Sequence, residues 1–142
     1  MKIVFLDFDG PIIPKQSHET KRPPESKAWP SCVAALNRIT KTTGAQIVVS
    51  SAWRGSGLKE MQDLLESWGV TGDVTGVTPI LCGETRGKEI AKYLKKFPKV
   101  ESFVILDDDD DMDHLRPFLV QTPFSTGLTE KHADRAIKVL NE

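Results

Sequence analysis

The fold is decided at the start of the chain, by the stretch Met1-Lys-Ile-Val-Phe-Leu-Asp-Phe-Asp-Gly10. The apolar run 3–6 has the length and composition of a buried strand, and Gly10 is typical of the turn that follows one. Such a strand would deliver Asp7 and Asp9 at its carboxyl end, where open α/β sheets bind their ligands. Two carboxylates at that spacing repel each other unless a cation or a shared proton holds them together.

Apolar runs and amphipathic stretches alternate along the rest of the chain. The first long helix is predicted to start at Pro30-Ser31, with Ser31 as its cap, and to end at Gly44. Thr85 and Thr129 are predicted to cap later helices. The predicted order is β-α-β-α-β-α-β-β-α, which indicates an α/β fold in three layers: a doubly wound, mostly parallel, Rossmann-like sheet without a separate cap domain. The strands are predicted at residues 3–6, 46–50, 74–77, 103–106 and 118–121.

The chain of 142 residues is predicted to form a single domain, 1–142. Residues 11–29 show neither helical nor strand periodicity, so they are predicted to form a loop or flap beside the first strand. This segment carries several lysines and arginines. Two interpretations stay open: a solvated flap, or a mobile arm that contacts an anionic substrate.

The composition points to no membrane and no bulk attraction to nucleic acid. The net charge is −1, and no apolar stretch approaches the ~18 residues that a membrane span needs. The amino terminus lacks the pattern of a signal peptide, so a cytoplasmic location is predicted.

Cys32 and Cys82 match no metal or redox spacing and are predicted to be reduced core residues. His18, His114 and His132 show no ligand spacing and are predicted to lie on the surface.

Polar clusters follow three of the predicted strands. Because parallel strands end at one edge of a sheet, these clusters are expected to converge there. Three carboxylates suit a hard cation such as Mg²⁺. A serine hydroxyl and a basic residue in the first turn of a helix would bind a phosphoryl group beside it. The residues concerned are Asp7 and Asp9, then Ser50, Ser51 and Arg54, then Asp107 and Asp108, with Arg86 or Lys88 as the basic residue.

Taken together and in order, these motifs resemble the haloacid dehalogenase (HAD) superfamily of phosphohydrolases across essentially the whole chain. The four superfamily motifs stand here as Ile3-Val-Phe-Leu-Asp-Phe-Asp-Gly10, Ile47-Val-Val-Ser50, Arg86 or Lys88 at a helix start, and Phe103-Val-Ile-Leu-Asp-Asp108. A finer resemblance is to the HAD domain of Swiss Army Knife RNA-repair proteins. It rests on Ser50-Ser-Ala-Trp-Arg54, Thr85-Arg-Gly-Lys-Glu-Ile90, the aspartate run at residues 107–113 and Thr126-Gly-Leu-Thr129.

The resemblance implies a Mg²⁺-dependent phosphatase that hydrolyses phosphate monoesters through an aspartyl-phosphate. Asp7 would be the nucleophile, and Asp9 the general acid and then the base, with its main-chain carbonyl on Mg²⁺. Asp107 or Asp108 would complete the metal site. Ser50 with Arg86 or Lys88 would hold the phosphoryl group, and the predicted substrate-binding residues are Gly10, Ser51 and Arg54.

The resemblance also bears on partners. Superfamily members that act on small metabolites usually carry a cap domain, and its absence implies an open site that admits a large substrate. The substrate is therefore predicted to be a phosphorylated nucleotide or an RNA or DNA end. The sequence identifies no protein partner and no contact with a membrane.

Other interpretations stay open at this stage. Ser50 or Ser51 could cap the following segment, Trp53 could serve packing or base stacking, and Arg54 could pair with the aspartate run. Asp109 to Asp113 read as a solvated acidic loop. The chain could also be a catalytically idle module that binds phosphate, Mg²⁺ or a phosphoprotein. Receiver-type phosphorylation switches place the phosphoacceptor on a middle strand and the lysine on a late strand. Neither order is seen in this sequence, so this interpretation is disfavoured.

Overall fold

The computed structural model describes residues 1–23 and 26–142. Its strands are β1 (Lys2–Leu6), β2 (Gln46–Val49), β3 (Val74–Val77), β4 (Ser102–Asp107) and β5 (Leu119–Gln121). Within the described residues they form one five-stranded sheet in the order β3-β2-β1-β4-β5, and every neighbouring pair is parallel. The predicted α/β doubly wound fold is confirmed, with a sheet that is wholly rather than mostly parallel.

Five α-helices are described: α1 (Lys15–Glu19), α2 (Pro30–Thr43), α3 (Leu58–Ser67), α4 (Arg86–Lys96) and α5 (Glu130–Asn141). Two 3₁₀ helices, Ala52–Ser56 and Asp113–Phe118, follow the ends of β2 and β4. Gly44 ends α2 in the left-handed conformation, as predicted. The predicted start at Pro30-Ser31 is confirmed, because α2 begins at Pro30, whose fixed φ suits the first position of a helix. The predicted cap at Ser31 is wrong, because Trp29 occupies the N-cap position.

The described residues of the predicted flap at 11–29 contain more regular structure than the sequence suggested. They contain α1, and the side chains of Ile12 and Ile13 are fully buried. A helix of five residues is too short to show a period, which is why the pattern did not reveal it. Residues 24 and 25 of the predicted flap lie outside the described residues.

Both faces of the sheet are covered, so its strands are apolar on both sides. On β1, Val4 and Leu6 pack into a core formed with α2, α3 and α5. Ile3 and Phe5 point to the opposite face and pack against α4 and the second 3₁₀ helix. This alternation places β1 at the centre of three layers and fixes its register against β2 and β4.

Two predictions about individual side chains need correction. Cys32 is buried as expected, but Cys82 is exposed because it lies in the loop between β3 and α4. His18 and His114 are exposed, whereas His132 is half-buried. The Nδ1 atom of His132 accepts a hydrogen bond of 3.0 Å from the backbone N–H of Thr129, which secures the first turn of α5.

None of the helices among the described residues has the length and apolar character required to cross a membrane.

Candidate active site

The carboxyl ends of the three central strands meet at one edge of the sheet. β1 pairs with β4 on one side and with β2 on the other, so the strand order reverses direction at β1. The N–H of Asp7 donates to the carbonyl of Leu106 at 3.0 Å, and the N–H of Ser50 donates to that of Leu6 at 2.9 Å. These bonds bring Asp7, Ser50 and Asp107 together at the switch point, where open α/β sheets bind ligands.

Three carboxylates form a compact cluster at this point. One oxygen from each of Asp7, Asp107 and Asp108 lies within 4.8 Å of the others. Asp7 is 8% exposed and Asp107 is 2% exposed. Burial raises the pKa of Asp7 to about 6, and burial together with the nearby charge of Asp7 raises the pKa of Asp107 to about 8. The donor set of three adjacent carboxylates fits a hard divalent cation, which would remove this repulsion.

Asp9 does not belong to this cluster, although it follows Asp7 by only two residues. Its Oδ2 accepts a hydrogen bond of 2.9 Å from Nε1 of Trp53, and its Oδ1 lies 3.5 Å from Nε2 of His18. A metal ligand role for the Asp9 side chain is therefore not supported by the placement. The sequence left Trp53 between packing and base stacking and did not predict its contact with Asp9. The available signal was its place in the motif Ser50-Ser-Ala-Trp-Arg54.

Gly10 makes room for one member of the carboxylate cluster. Its φ of +110° is in the region that favours glycine, and a Cβ here would lie 2.7 Å from Cβ of Asp108. Its N–H already donates to the carbonyl of Ile13 at 3.0 Å. The structure thus gives Gly10 a role in making room for Asp108, and its contact with substrate stays a prediction.

The structure separates the two candidates for the basic residue. Nη1 of Arg86 lies 3.6 Å from Oδ1 of Asp7 and 3.7 Å from Oδ2 of Asp107. Lys88 is exposed, with its Nζ 3.0 Å from the carboxylate of Glu84. Residues two apart on a helix face different directions, so only one of the pair could reach the cluster. The geometry places Arg86 there and Lys88 on the surface.

Arg54 is committed to the protein interior. Its guanidinium donates to the carbonyls of Thr78 at 2.9 Å and Ser51 at 2.8 Å, and its Nη2 lies 2.8 Å from Oε1 of Glu89. It is only 5% exposed. Both predictions for Arg54, substrate binding and pairing with the aspartate run, are therefore wrong, because its donors are spent on buried partners.

Glu89 is a site residue that the sequence interpretation missed. Its Oε1 lies 2.8 Å from Arg54 and 3.6 Å from Nε of Arg86, and its Oε2 accepts the N–H of Leu81 at 2.9 Å. The signal was present, because Arg86 and Glu89 stand at positions i and i+3 of one helix. Glu89 thus orients the arginine that faces the carboxylate cluster.

The two serines after β2 have different surroundings. Ser50 is fully buried, and among the described residues its Oγ has no hydrogen-bond partner. A buried polar atom without a partner marks a position where a ligand atom can complete the site. Ser51 is also fully buried, and its Oγ accepts the N–H of Trp53 at 3.2 Å. The capping interpretation is confirmed for Ser51 and replaces its predicted contact with substrate.

The aspartate run does more than face solvent. The backbone N–H of Arg86 donates to Oδ2 of Asp111 at 3.2 Å, and that of Gly87 donates to the Asp111 carbonyl at 3.0 Å. Oγ1 of Thr85 donates to Oδ2 of Asp113 at 2.6 Å. The protein's own acids therefore occupy the amino terminus of α4, where an anionic substrate was expected, although the residues stay exposed as predicted.

Gly87 is expected to be essential for this contact. A Cβ at this position would lie 2.3 Å from the backbone carbonyl carbon of Met112, and neither backbone can retreat like a flexible side chain. Gly87→Ala should therefore lower the free energy of unfolding by about 1–3 kcal/mol. Urea unfolding measures the change. Gly55→Ala is the matched control, because a Cβ there would meet open space; an equal cost in both variants would contradict the prediction.

The comparison with known proteins places the chain in a family. A family model described as the HAD domain in Swiss Army Knife RNA repair proteins matches residues 3–133, so the chain belongs to this family. The match covers the three strand ends, α4 and the aspartate run. No curated protein and no solved structure matches the chain.

Proposed function

We propose that the protein is a Mg²⁺-dependent phosphohydrolase that cleaves phosphate monoesters through an aspartyl-phosphate on Asp7. One observation carries the proposal: the buried Asp7 carboxylate lies between two further carboxylates and the guanidinium of Arg86. A carboxylate between a cation site and an arginine is suited to attack an anionic phosphoryl group. The membership in a family of HAD domains supports the same reaction class.

The reaction divides into two displacements. In the first, an oxygen of Asp7 forms a bond to phosphorus while the bond from phosphorus to the leaving oxygen breaks, and Asp9 gives that oxygen a proton. In the second, a water oxygen bonds to phosphorus, the bond to Asp7 breaks, and Asp9 takes the proton of the water. Arg86 and the Ser50 hydroxyl would hold the phosphoryl oxygens. Mg²⁺ held by Asp7, Asp107 and Asp108 would supply charge neutralisation.

The substrate that we propose is a phosphorylated nucleotide or an RNA or DNA end. The family description concerns RNA repair proteins, and it is this similarity that supports a nucleic-acid substrate. The described residues between β1 and α2 are 7–23 and 26–29, and α1, with five residues, is the only α-helix among them. These residues are too few to form a separate cap domain, which suits a substrate too large for an enclosed pocket.

Mg²⁺ is expected to stabilise the protein more at pH 8 than at pH 5. The raised pKa values of Asp7 and Asp107 mean that the folded state holds protons that the unfolded state has released, so the metal-free protein loses stability as the pH rises from about 4 to about 8. Mg²⁺ competes with those protons at low pH. The test is the difference in Tm between samples with Mg²⁺ and samples with EDTA, where each kcal/mol of added stability raises the Tm by about 2–4 °C. A larger difference at pH 5 than at pH 8 would contradict the prediction.

The reaction class is tested by release of inorganic phosphate from 4-nitrophenyl phosphate with Mg²⁺ and with EDTA. Turnover that depends on Mg²⁺ is the expected result. A second assay compares nucleotides, phosphorylated RNA and DNA ends and phosphopeptides, and the nucleic-acid ends should give the highest kcat/KM. Mg²⁺ binding without any phosphate release across this set would instead favour a catalytically idle module.

A further inference from the structure

We infer that Trp53 is a positioning residue that fixes the proton-transferring carboxyl of Asp9 and directs one of its two oxygens to the leaving group. This inference rests on the proposed function, because it assigns a role within that reaction. The contact that carries it is the hydrogen bond of 2.9 Å from the indole Nε1 of Trp53 to Oδ2 of Asp9. No motif in the sequence predicted this bond.

The indole of Trp53 is held on several sides. Its ring packs edge-on against Phe8 with centroids 5.8 Å apart and against Trp68 with centroids 5.7 Å apart. Its backbone N–H is bound by the Ser51 hydroxyl at 3.2 Å, which starts the 3₁₀ helix Ala52–Ser56. An indole held in this way cannot follow a moving carboxylate, so the carboxylate takes the position that the indole dictates.

The hydrogen bond gives the two oxygens of Asp9 unequal tasks. Oδ2 accepts from Trp53, so Oδ1 is the oxygen left to carry a proton and to pass it on. Oδ1 faces His18, whose Nε2 lies at 3.5 Å and whose ring packs against Phe124 with centroids 5.4 Å apart. The Asp9 side chain is half-exposed, so a substrate can reach it.

The same bond explains why Asp9 stays outside the carboxylate cluster. Asp9 is only two residues from Asp7, yet the described cluster consists of Asp7, Asp107 and Asp108. The Trp53 N–H gives the Asp9 carboxyl a partner of its own, outside the cluster. The carboxyl therefore remains free for proton transfer, because a carboxyl bound to a cation is a poor proton acceptor.

Trp53→Phe tests the inference, because it removes the N–H donor and keeps an aromatic ring. When Asp9 protonates the leaving oxygen, losing its alignment harms substrates with poor leaving groups and spares those with good ones. We expect kcat to fall about tenfold for an alkyl phosphate and less than threefold for 4-nitrophenyl phosphate. Asp9→Asn should show the same pattern with a larger loss.

Trp68→Phe is the matched control, since it takes an indole from the same aromatic cluster while Trp53 keeps its bond to Asp9. Trp68→Phe should change kcat by equal factors for the alkyl phosphate and for 4-nitrophenyl phosphate. Equal losses on both substrates in Trp53→Phe would overturn the inference, since a merely structural role predicts that result. If Asp7→Asn also kept its turnover, the proposed function itself would fall, so the two failures are distinguishable.

A second measurement does not depend on turnover. The protein has three tryptophans, and ¹H–¹⁵N spectra report each indole N–H separately. The cross-peak lost in Trp53→Phe identifies the Trp53 indole. That cross-peak should shift in Asp9→Asn, because its acceptor changes from a carboxylate to an amide, and should stay in place in Asp134→Asn, whose exposed carboxylate pairs with Arg38. An unchanged position in Asp9→Asn would overturn the inference even for a variant without measurable activity.

Discussion

Asp7→Asn is expected to lower phosphate release by a factor on the order of 10⁴ or more, because loss of an attacking group removes the covalent route as a whole. Asparagine matches aspartate in shape, but its amide is a poor nucleophile and a poor ligand for Mg²⁺. Initial rates with 4-nitrophenyl phosphate at saturating Mg²⁺ measure the change. Asp63→Asn, on an exposed turn of α3, is the charge-matched control and should keep the wild-type rate.

Asp7→Asn should fold at least as well as the wild type in the absence of metal. Asp7 is buried beside Asp107, and the substitution removes one of two carboxylates whose repulsion opposes folding at alkaline pH. Thermal unfolding in EDTA at pH 8 should therefore show an equal or higher Tm. Loss of the fold would leave the rate uninterpretable on its own, and a rate within tenfold of wild type would remove Asp7 from the mechanism.

Arg86→Ala should reduce kcat by about 10²–10³-fold, as expected when one preorganised charge is removed from a phosphoryl site. Arg86 reaches Asp7 and Asp107, and it also donates to the carbonyl of Ser50. Lys88→Ala is a closely matched control on the same helix. Its partner is the exposed Glu84, so the expected change is less than twofold.

Arg86→Lys refines this prediction. Lysine keeps the charge but cannot make the several directed contacts of a guanidinium, so an intermediate loss is expected. Steady-state kinetics should show the loss mainly in kcat, since the charge develops in the transition state. Equal losses in Arg86→Ala and Lys88→Ala would contradict the assignment of Arg86 to the site.

Much of the fold could be predicted from the sequence because the strands are buried on both faces. Such strands appear as short apolar runs, and the residues at the carboxyl ends of β1 and β4 then had to meet at one edge of the sheet. This reasoning brought Asp7 to Asp107 correctly. It needed only strand ends and a parallel sheet, and no knowledge of side-chain direction.

The contacts that the sequence did not reveal depend on side-chain direction across the fold. Arg54 and Glu89 lie on different elements, and each also forms hydrogen bonds with the loop after β3, which brings them together. Trp53 reaches Asp9 from a 3₁₀ helix, whose start no periodic pattern announces. The aspartate run looked uniform in sequence, yet its members have different partners because the chain turns between them.

The contact of α4 with residues 111–113 limits the insertions and deletions that the loop after β4 can accept. Surface loops are usually the places where insertions and deletions are tolerated. Here Asp111 binds the first N–H groups of α4, and Met112 lies directly against Gly87. One residue added between Asp108 and Asp111 would shift Arg86 relative to Asp7, so this exposed loop should keep its length as strictly as a core strand does.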